Sequence, residues 1–582
     1  MNKILSSLIS WFDKSINNLS LPKVIILFFI IGLITYAKSL SNGFVGDDLS
    51  QILNNNAIRS LGNIPKFFTA GTFYNPVTQK LEGLYYKPLL TTYFSLIYSV
   101  ASSHAFFYHL VQILLHVTNS ILVYLLGLKF FNKRLSILLG LIFLVHPINS
   151  EAVLYISSAQ EPLFLFFGMF AFLLTIKGKP EGRNFFLVIL FLFISVLFKE
   201  TGLLFSISIL VYVYFFKKKY FLKFFLSIYV IFIIYLIMRA SAVPIFKYNI
   251  GFSPISTLGL GRRLINIPFI LFSYIKAFLF PVDLASNQTW VVKFISYDKF
   301  YRPLLIDILF FGLVILLGIY LWLKRRAEFR MYLLFVIVFF VSLGLHLQII
   351  PLDSTFAERW FYSPTVGLLM LLGIVLEKGL GENKKIIFAS FCLGIIMLVA
   401  LGWRTATRSF DWKDEFTLFS QDVKVNKDSY IIEMGLGYAY AQKKDYDTAI
   451  NHLERSTQIY PYVTNFTELG TAYSQRGDFV KAEESYKNAL KIKDFYLTYE
   501  NLASLYYGQL KDYEKAIEIT KRGVSIYPSS SKLRFILALS YYKLNDMKNA
   551  QQTALECYNR IKDQNCYKLY YGIPNKIPLE GI

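Results

Sequence analysis

Two aspartates stand side by side in Gly46-Asp47-Asp48, about ten residues beyond the first long apolar run of the chain. Adjacent carboxylates near a membrane surface suit a general base facing a lipid-borne electrophile, one side chain turned to a cavity while its neighbour orients structure. The blander reading is a solvated turn in which Asp48 caps a helix beginning Leu49-Ser50-Gln51. Other polar groups cluster at the ends of apolar runs. His146-Pro147-Ile148-Asn149-Ser150-Glu151 closes one run, Glu161 opens the next, Lys199-Glu200 lies between two, and Glu358-Arg359 precedes another. Tyr86-Lys87-Pro88 opens an amphipathic stretch, and His109 and His116, seven apart, share a helix face. Singly, each is explained as a cap, a snorkelling cation or an interhelical hydrogen bond. Jointly they describe an external polar cavity in which Lys199 and Arg359 could grip a phosphate, arginine with a two-pronged fork. The six histidines show no metal-binding spacing, and neither a phosphate-cradling glycine loop nor a GxSxG elbow occurs in a strand–helix context.

These groups need apolar elements to position them. The chain has 582 residues, of which 55% are hydrophobic and only 17% charged, a balance that excludes an ordinary soluble enzyme. The net charge of +22 is uneven: residues 1–410 carry 37 basic against 16 acidic side chains, whereas 411–582 carry 23 against 22. Basic residues strung between apolar runs read as cytoplasmic loop charges, not as a nucleic-acid surface. Runs long enough to span hydrocarbon occur near 22–38, 105–127, 135–150, 161–176, 184–198, 200–216, 221–239, 304–323, 331–350, 360–378 and 384–402. With an uncleaved first span, the N-terminus inside and 264–281 kept from crossing, every lysine- and arginine-rich connection falls on the cytoplasmic side. About eleven crossings follow, with the 39–104 loop, the 351–359 loop and the tail facing away from the cytoplasm. Cys557 and Cys566 are read as free thiols in preference to a pair.

The tail repeats itself with a period of about 34 residues. Leu436, Gly437, Tyr440, Ala449 and Leu453 recur as Leu469, Gly470, Tyr473, Ala482 and Tyr486, then as Leu502, Ala503, Tyr506 and Ala516 with one inserted residue, then as Leu537, Ala538, Tyr541 and Ala550. Small residues at these offsets allow two helices to cross closely, the pattern of tetratricopeptide repeats, which present a concave face to a peptide or protein. The expected organisation is all-α. A membrane domain spans 1–403, a junction 404–429, four repeat units 430–561 and a loose tail 562–582.

The order of these features resembles the transmembrane glycosyltransferases with tetratricopeptide repeats, the O-mannosyltransferase group of the GT-C fold and its bacterial relatives. The resemblance rests on Asp47-Asp48 with Asn54–Asn56, Tyr86-Lys87-Pro88-Leu89, Tyr108-His109, Leu115-His116, Phe143 with His146-Pro147 and Glu151, Lys199-Glu200, Glu358-Arg359 with Tyr362 and Pro364, and Arg408 with Trp412. It departs from that pattern at Lys87 and near Gln160, where arginine is usual, and at Gln112, where asparagine is usual. The resemblance implies inverting transfer of a sugar from a polyprenyl- or dolichyl-phosphate donor to an acceptor hydroxyl outside the cytoplasm. Asp47 would be the base and Asp48 its support, with Lys87, His109, His146, Glu151, Lys199, Glu358 and Arg359 as the donor- and substrate-binding set. A monoester leaving group carries its own charge, so neither a metal nor another cofactor is required beyond the lipid-linked donor. The expected partners are that donor, membrane lipids and a protein acceptor met by the repeats, with no nucleic acid. Two further readings stand beside it: a transferase acting on a lipid-linked glycan, and a non-catalytic scaffold. Usage heavy in Lys, Asn, Ile and Phe suggests an AT-rich genome and a bacterial inner membrane, with the endoplasmic reticulum as the alternative.

Overall fold

A computed structural model describes residues 16, 18–76, 78–244, 251–379, 384–561 and 564–573. Lys3 and Lys14, which precede the first apolar run, and Pro574 and Pro578 of the expected loose tail lie outside them. The chain divides into two compact units, one of residues 1–74 with 81–425 and one of 75–80 with 426–582.

In the first unit, eight helices among the described residues are long and apolar enough to cross a bilayer: Leu21–Ser41, Ala105–Gly127, Ile156–Lys177, Lys218–Ala242, Tyr297–Lys324, Arg326–Gly344, Glu358–Glu377 and Ile386–Asp411. The expected run at 135–150 is broken: Lys133–Val145 and Pro147–Leu154 meet at a bend of 49°. Proline has no N–H to continue the helix and disfavours helical geometry in the residue before it, so His146 is extended (φ −72°, ψ 125°). The runs at 184–198 and 200–216 form the shorter apolar helices Gly182–Phe198 and Glu200–Phe216. Among the described residues, length and composition alone thus give eight spans, or nine with the bent pair, and by that measure the count of eleven is not reached. The Leu260–Leu279 helix is not among them; it carries Pro268 internally and buries Asn266, Ile270, Leu271, Tyr274 and Ala277 along one face.

Small residues let these helices approach. A Cβ at Gly140 would stand 2.8 Å from the Phe28 ring, so the first span packs directly on the helix 133–145. Beyond the first span the chain is tied to the far end of the last one. The Asn42 amide donates to Ser409 O at 2.9 Å, Gly43 N to Lys413 O at 3.0 Å and Gly46 N to Glu415 Oε1 at 3.0 Å. Arg408, itself buried, reaches Asp422 at 2.9 Å, and Asp422 accepts from Ser286 N and Oγ at 2.8 and 2.6 Å.

The second unit is a succession of antiparallel helix pairs: Tyr430–Gln442 with Tyr446–Ile459, Val463–Arg476 with Phe479–Ile492, Tyr496–Leu510 with Tyr513–Ile526, and Ser531–Lys543 with Met547–Ile561. The small residue on each first helix is where the second crosses: a Cβ at Gly470 would lie 2.7 Å from the Tyr486 ring. Each turn between the paired helices passes through a left-handed residue, Lys444, Gly477, Lys511 or Asn545. An aspartate then caps the second helix: Asp445, Asp478, Asp512 and Asp546 accept from the backbone N–H three residues on, at 3.1–3.2 Å. The residue inserted in the third unit is absorbed as a π-helical segment at Leu505–Leu510, which keeps the downstream register. Where a loose tail was expected, Gln564–Gly572 is helical, and Cys557 and Cys566 are joined in a disulfide, not free. Asn465, whose Asn465-Phe466-Thr467 sequence matches the acceptor pattern for N-glycosylation, is fully buried, its amide donating to Ser456 Oγ and Tyr460 O, and so is closed to modification in the folded chain.

Candidate functional site

The loop after the first span separates its two aspartates by role. Asp48 is fully buried: Oδ1 accepts from Ser157 N at 2.7 Å and Ser157 Oγ at 2.6 Å, and Oδ2 from Val45 N at 3.0 Å. It does not cap the Leu49–Leu53 turn, since its side chain accepts nothing from that segment. Its work is to fold the loop against residue 157 and so to aim its neighbour. Gly46 (φ +55°) makes the turn that leads into the pair, and a Cβ there would sit 3.0 Å from Tyr155 Oη. Asp47 projects the other way. Its N–H donates to Tyr155 Oη at 2.8 Å, the same phenol bonds its carboxylate, and its side chain stays reachable from a cavity of about 1020 Å³ including the open mouth.

That cavity is lined by Asp47, Lys87, Lys199 and Arg359 from the expected set, joined by Tyr85, Tyr155, Gln160, Glu200, His346, Asp353 and Trp360. Its cations are not equivalent. Lys199 is ion-paired with Glu161, and Arg359 with Glu151, which also accepts from Arg359 N at 2.9 Å. Lys87 donates instead to the neutral amide oxygen of Gln160 at 2.8 Å, its ammonium 4.6 Å from the centre of the Tyr85 ring. Lys87 and Gln160, at and near which the chain departs from the pattern it resembles, are thus partners in one bond from a cation to a neutral amide.

Burial dominates the protonation of these groups. It raises the Asp47 carboxyl above the usual carboxylate range, with the Arg359 charge opposing and the Asp353 charge assisting. It raises Asp48 to about 7 despite the bonds from Ser157 and Val45. Burial first, and the Lys199 charge second, push Lys87 down to about 8, with Glu200, Glu161 and Asp353 working against them. The His346 imidazole is driven well below its ordinary value by burial and Lys199, so it is neutral at pH 7.

Several expected residues lie elsewhere. His146 stacks on Phe278 (centroids 4.7 Å, 5°); its Nε2 bonds Phe278 O at 2.9 Å and its Nδ1 accepts from Ile148 N at 3.2 Å. Both ring nitrogens are occupied in shaping the bend at Pro147, so the imidazole does not face the cavity. His109 is buried beside the backbone of Asn42 and Gly43, and Glu358, also buried, accepts from Ala285 N at 2.7 Å. Neither lines the cavity. Glu151 lies behind the wall, fully buried, where it orients Arg359. Tyr85, Tyr155, His346, Asp353 and Trp360 were not singled out from the sequence. Asp353 had a usable signal: it is an acid on the expected external side of a chain half poor in acids, five residues before Glu358.

Comparison with known proteins agrees with this architecture. A tetratricopeptide repeat profile matches residues 434–462, 464–495 and 497–530. Protein O-mannosyl-transferase TMTC3 of Homo sapiens is 23% identical over 94% of this chain and 65% of its own length. Protein O-mannosyl-transferase F38B6.6 of Caenorhabditis elegans is 25% identical over 70% of this chain and 58% of its own. The chain therefore spans less than two thirds of either relative. Among solved structures, ArnT from Cupriavidus metallidurans bound to undecaprenyl phosphate aligns over 80% of each chain at 13% identity, with a TM-score of 0.39 that is too low to support an argument. Over nearly its whole length the chain is similar to proteins named as protein O-mannosyl-transferases, and its C-terminal part carries tetratricopeptide repeats.

Proposed function

We propose that this protein transfers a hexose from a polyprenyl-phosphate-linked donor to an acceptor hydroxyl, a protein serine or threonine, on the non-cytoplasmic face of the membrane. The observation carrying this reading is that Asp47, alone of the adjacent pair, opens into a cavity that also holds Lys87, Lys199 and Arg359. The names of the relatives support mannose as the sugar and protein as the acceptor.

In this reading the Asp47 carboxylate takes the proton of the acceptor hydroxyl as its oxygen bonds to the anomeric carbon. The bond from that carbon to the phosphate oxygen breaks on the opposite face, giving inversion. The carrier leaves as a phosphate whose added charge is met by Lys87 and by the N–H groups of Arg359 not taken up by Glu151. A raised carboxyl makes Asp47 a stronger base when ionised, while Tyr155 holds it in place. The basic loops on the other side and the Cys557–Cys566 disulfide, a bond that persists in oxidising compartments, support a non-cytoplasmic tail. On that reading the repeats lie outside the cytoplasm, where their concave face can bind a protein segment.

The test is purified chain incubated with a prenyl phosphate mannose and a peptide panel, following carrier release and labelled peptide together. Asp47→Asn lowers the rate by about 10²–10⁴-fold. Wild-type transfer by a folded Asp47→Asn chain refutes the assignment, and label appearing in lipid or glycan in place of peptide moves the reading to the lipid-linked acceptor.

A further inference from the structure

Besides Asp47 the cavity is lined by two carboxylates that the proposed chemistry leaves without a task, and one of them, Glu200, is engaged by Arg239 at 3.4 Å and Tyr235 Oη at 3.2 Å. Asp353 follows the short loop that leaves the Arg326–Gly344 helix, and it accepts from Tyr85 Oη at 2.9 Å. Tyr85 therefore has two functions at once: its hydroxyl anchors this carboxylate and its ring lies under the Lys87 ammonium. The loop itself is pinned. Gln348 is fully buried, donates to Ser354 O at 2.7 Å and accepts from Leu352 N at 3.1 Å, while Arg263 holds Gln348 O at 2.9 Å. A rigid backbone thus presents Asp353 at a defined place in the cavity that Trp360 also lines, its ring stacked on the neutral His346 (centroids 5.1 Å, 20°).

Position indicates use. A sugar in transit must lie between the base that activates the acceptor and the cation that holds the leaving phosphate. Asp353 lines the cavity with both and exerts its charge on Asp47, Lys87 and Arg359 alike. Tyr85 occupies one of its oxygens, leaving lone pairs to accept hydroxyl donors. Resting on the reading above, we infer that Asp353, positioned by Tyr85 in the cavity that also holds Asp47 and Lys87, is the residue that reads the hydroxyls of the transferred hexose. A carboxylate accepts two neighbouring hydroxyls in a charge-assisted pair, and a site built to bond a hydroxyl discriminates strongly against an epimer that misplaces it.

The experiment measures binding and turnover of the full chain with citronellyl phosphate, citronellyl phosphate mannose and citronellyl phosphate glucose. Asp353→Asn and Asp353→Ala are expected to weaken binding of the preferred sugar-bearing donor by about 10- to 100-fold, the value of a lost bond to a charged group. The wild-type preference between the two sugars collapses in both variants. Binding of sugarless citronellyl phosphate, which also reports folding, stays within a few-fold. Tyr85→Phe moves selectivity in the same direction by less, since the carboxylate remains but is no longer fixed. Unchanged selectivity in both Asp353 variants overturns the inference, as does a rise in KM for the peptide alone, which would make Asp353 an acceptor contact. Equal loss for the sugarless compound overturns it too. A wild-type chain that binds none of the three compounds overturns the donor reading itself, an outcome distinct from the others.

Discussion

Replacing Lys87 by arginine isolates the cation that, among the described residues lining the cavity, is bonded to a neutral amide instead of an acid. The structure lowers this ammonium to about 8, through burial and the neighbouring Lys199 charge. A group with that pKa is about nine-tenths protonated at pH 7 and about one-tenth at pH 9. If Lys87 must be charged to receive the donor phosphate, kcat/KM falls about tenfold over those two pH units, because the charge is lost as pH rises through about 8. Asp47 must be ionised, and burial raises its carboxyl, so the acid limb lies above the usual carboxylate range and the profile is bell-shaped. Arginine stays protonated throughout, so Lys87→Arg keeps the acid limb and loses the alkaline one. Lys87→Met has no cation to titrate and is slower by about 100-fold at pH 7. The assay is carrier-phosphate release from a prenyl phosphate mannose between pH 5 and 9.5, with thermal unfolding at each pH to exclude loss of the fold. A wild-type profile flat from pH 7 to 9.5, or a Lys87→Arg chain that keeps a limb near 8, refutes the reasoning.

Two stability predictions accompany it. Asp48→Ala strands the buried N–H groups of Val45 and Ser157 and lowers stability by about 2–4 kcal/mol, seen as a lower Tm in detergent together with lost activity; an unchanged Tm means the loop is held otherwise. Cys557→Ser opens a crosslink between residues nine apart in sequence, worth about 3 kcal/mol by chain entropy, and hydrogen exchange accelerates at 564–572 while the cavity residues keep their protection.

The helical class, the membrane half, the repeat tail and the aspartate pair could all be read along the chain, because each depends on local properties. Apolar runs partition into lipid residue by residue, and a 34-residue period writes its helix crossings at Gly437, Gly470, Ala503 and Ala538 in fixed phase. What each charge does was settled only by folding. Asp47 and Asp48 are chemically identical neighbours, and the contact with Ser157, 109 positions away, consigns one to structure and leaves the other facing the cavity. Lys199 and Arg359 both reach the cavity, but only folding shows that each is paired there, with Glu161 and Glu151, while Lys87 is bonded to a neutral amide. His146 shared its motif with Glu151, yet the bend at Pro147 turns the imidazole onto Phe278. Asp353 gained its place from Tyr85, 268 positions away. Partition and periodicity sum over neighbours in sequence, whereas an ion pair or a cavity wall depends on which distant segments the packed helices bring within a few ångströms.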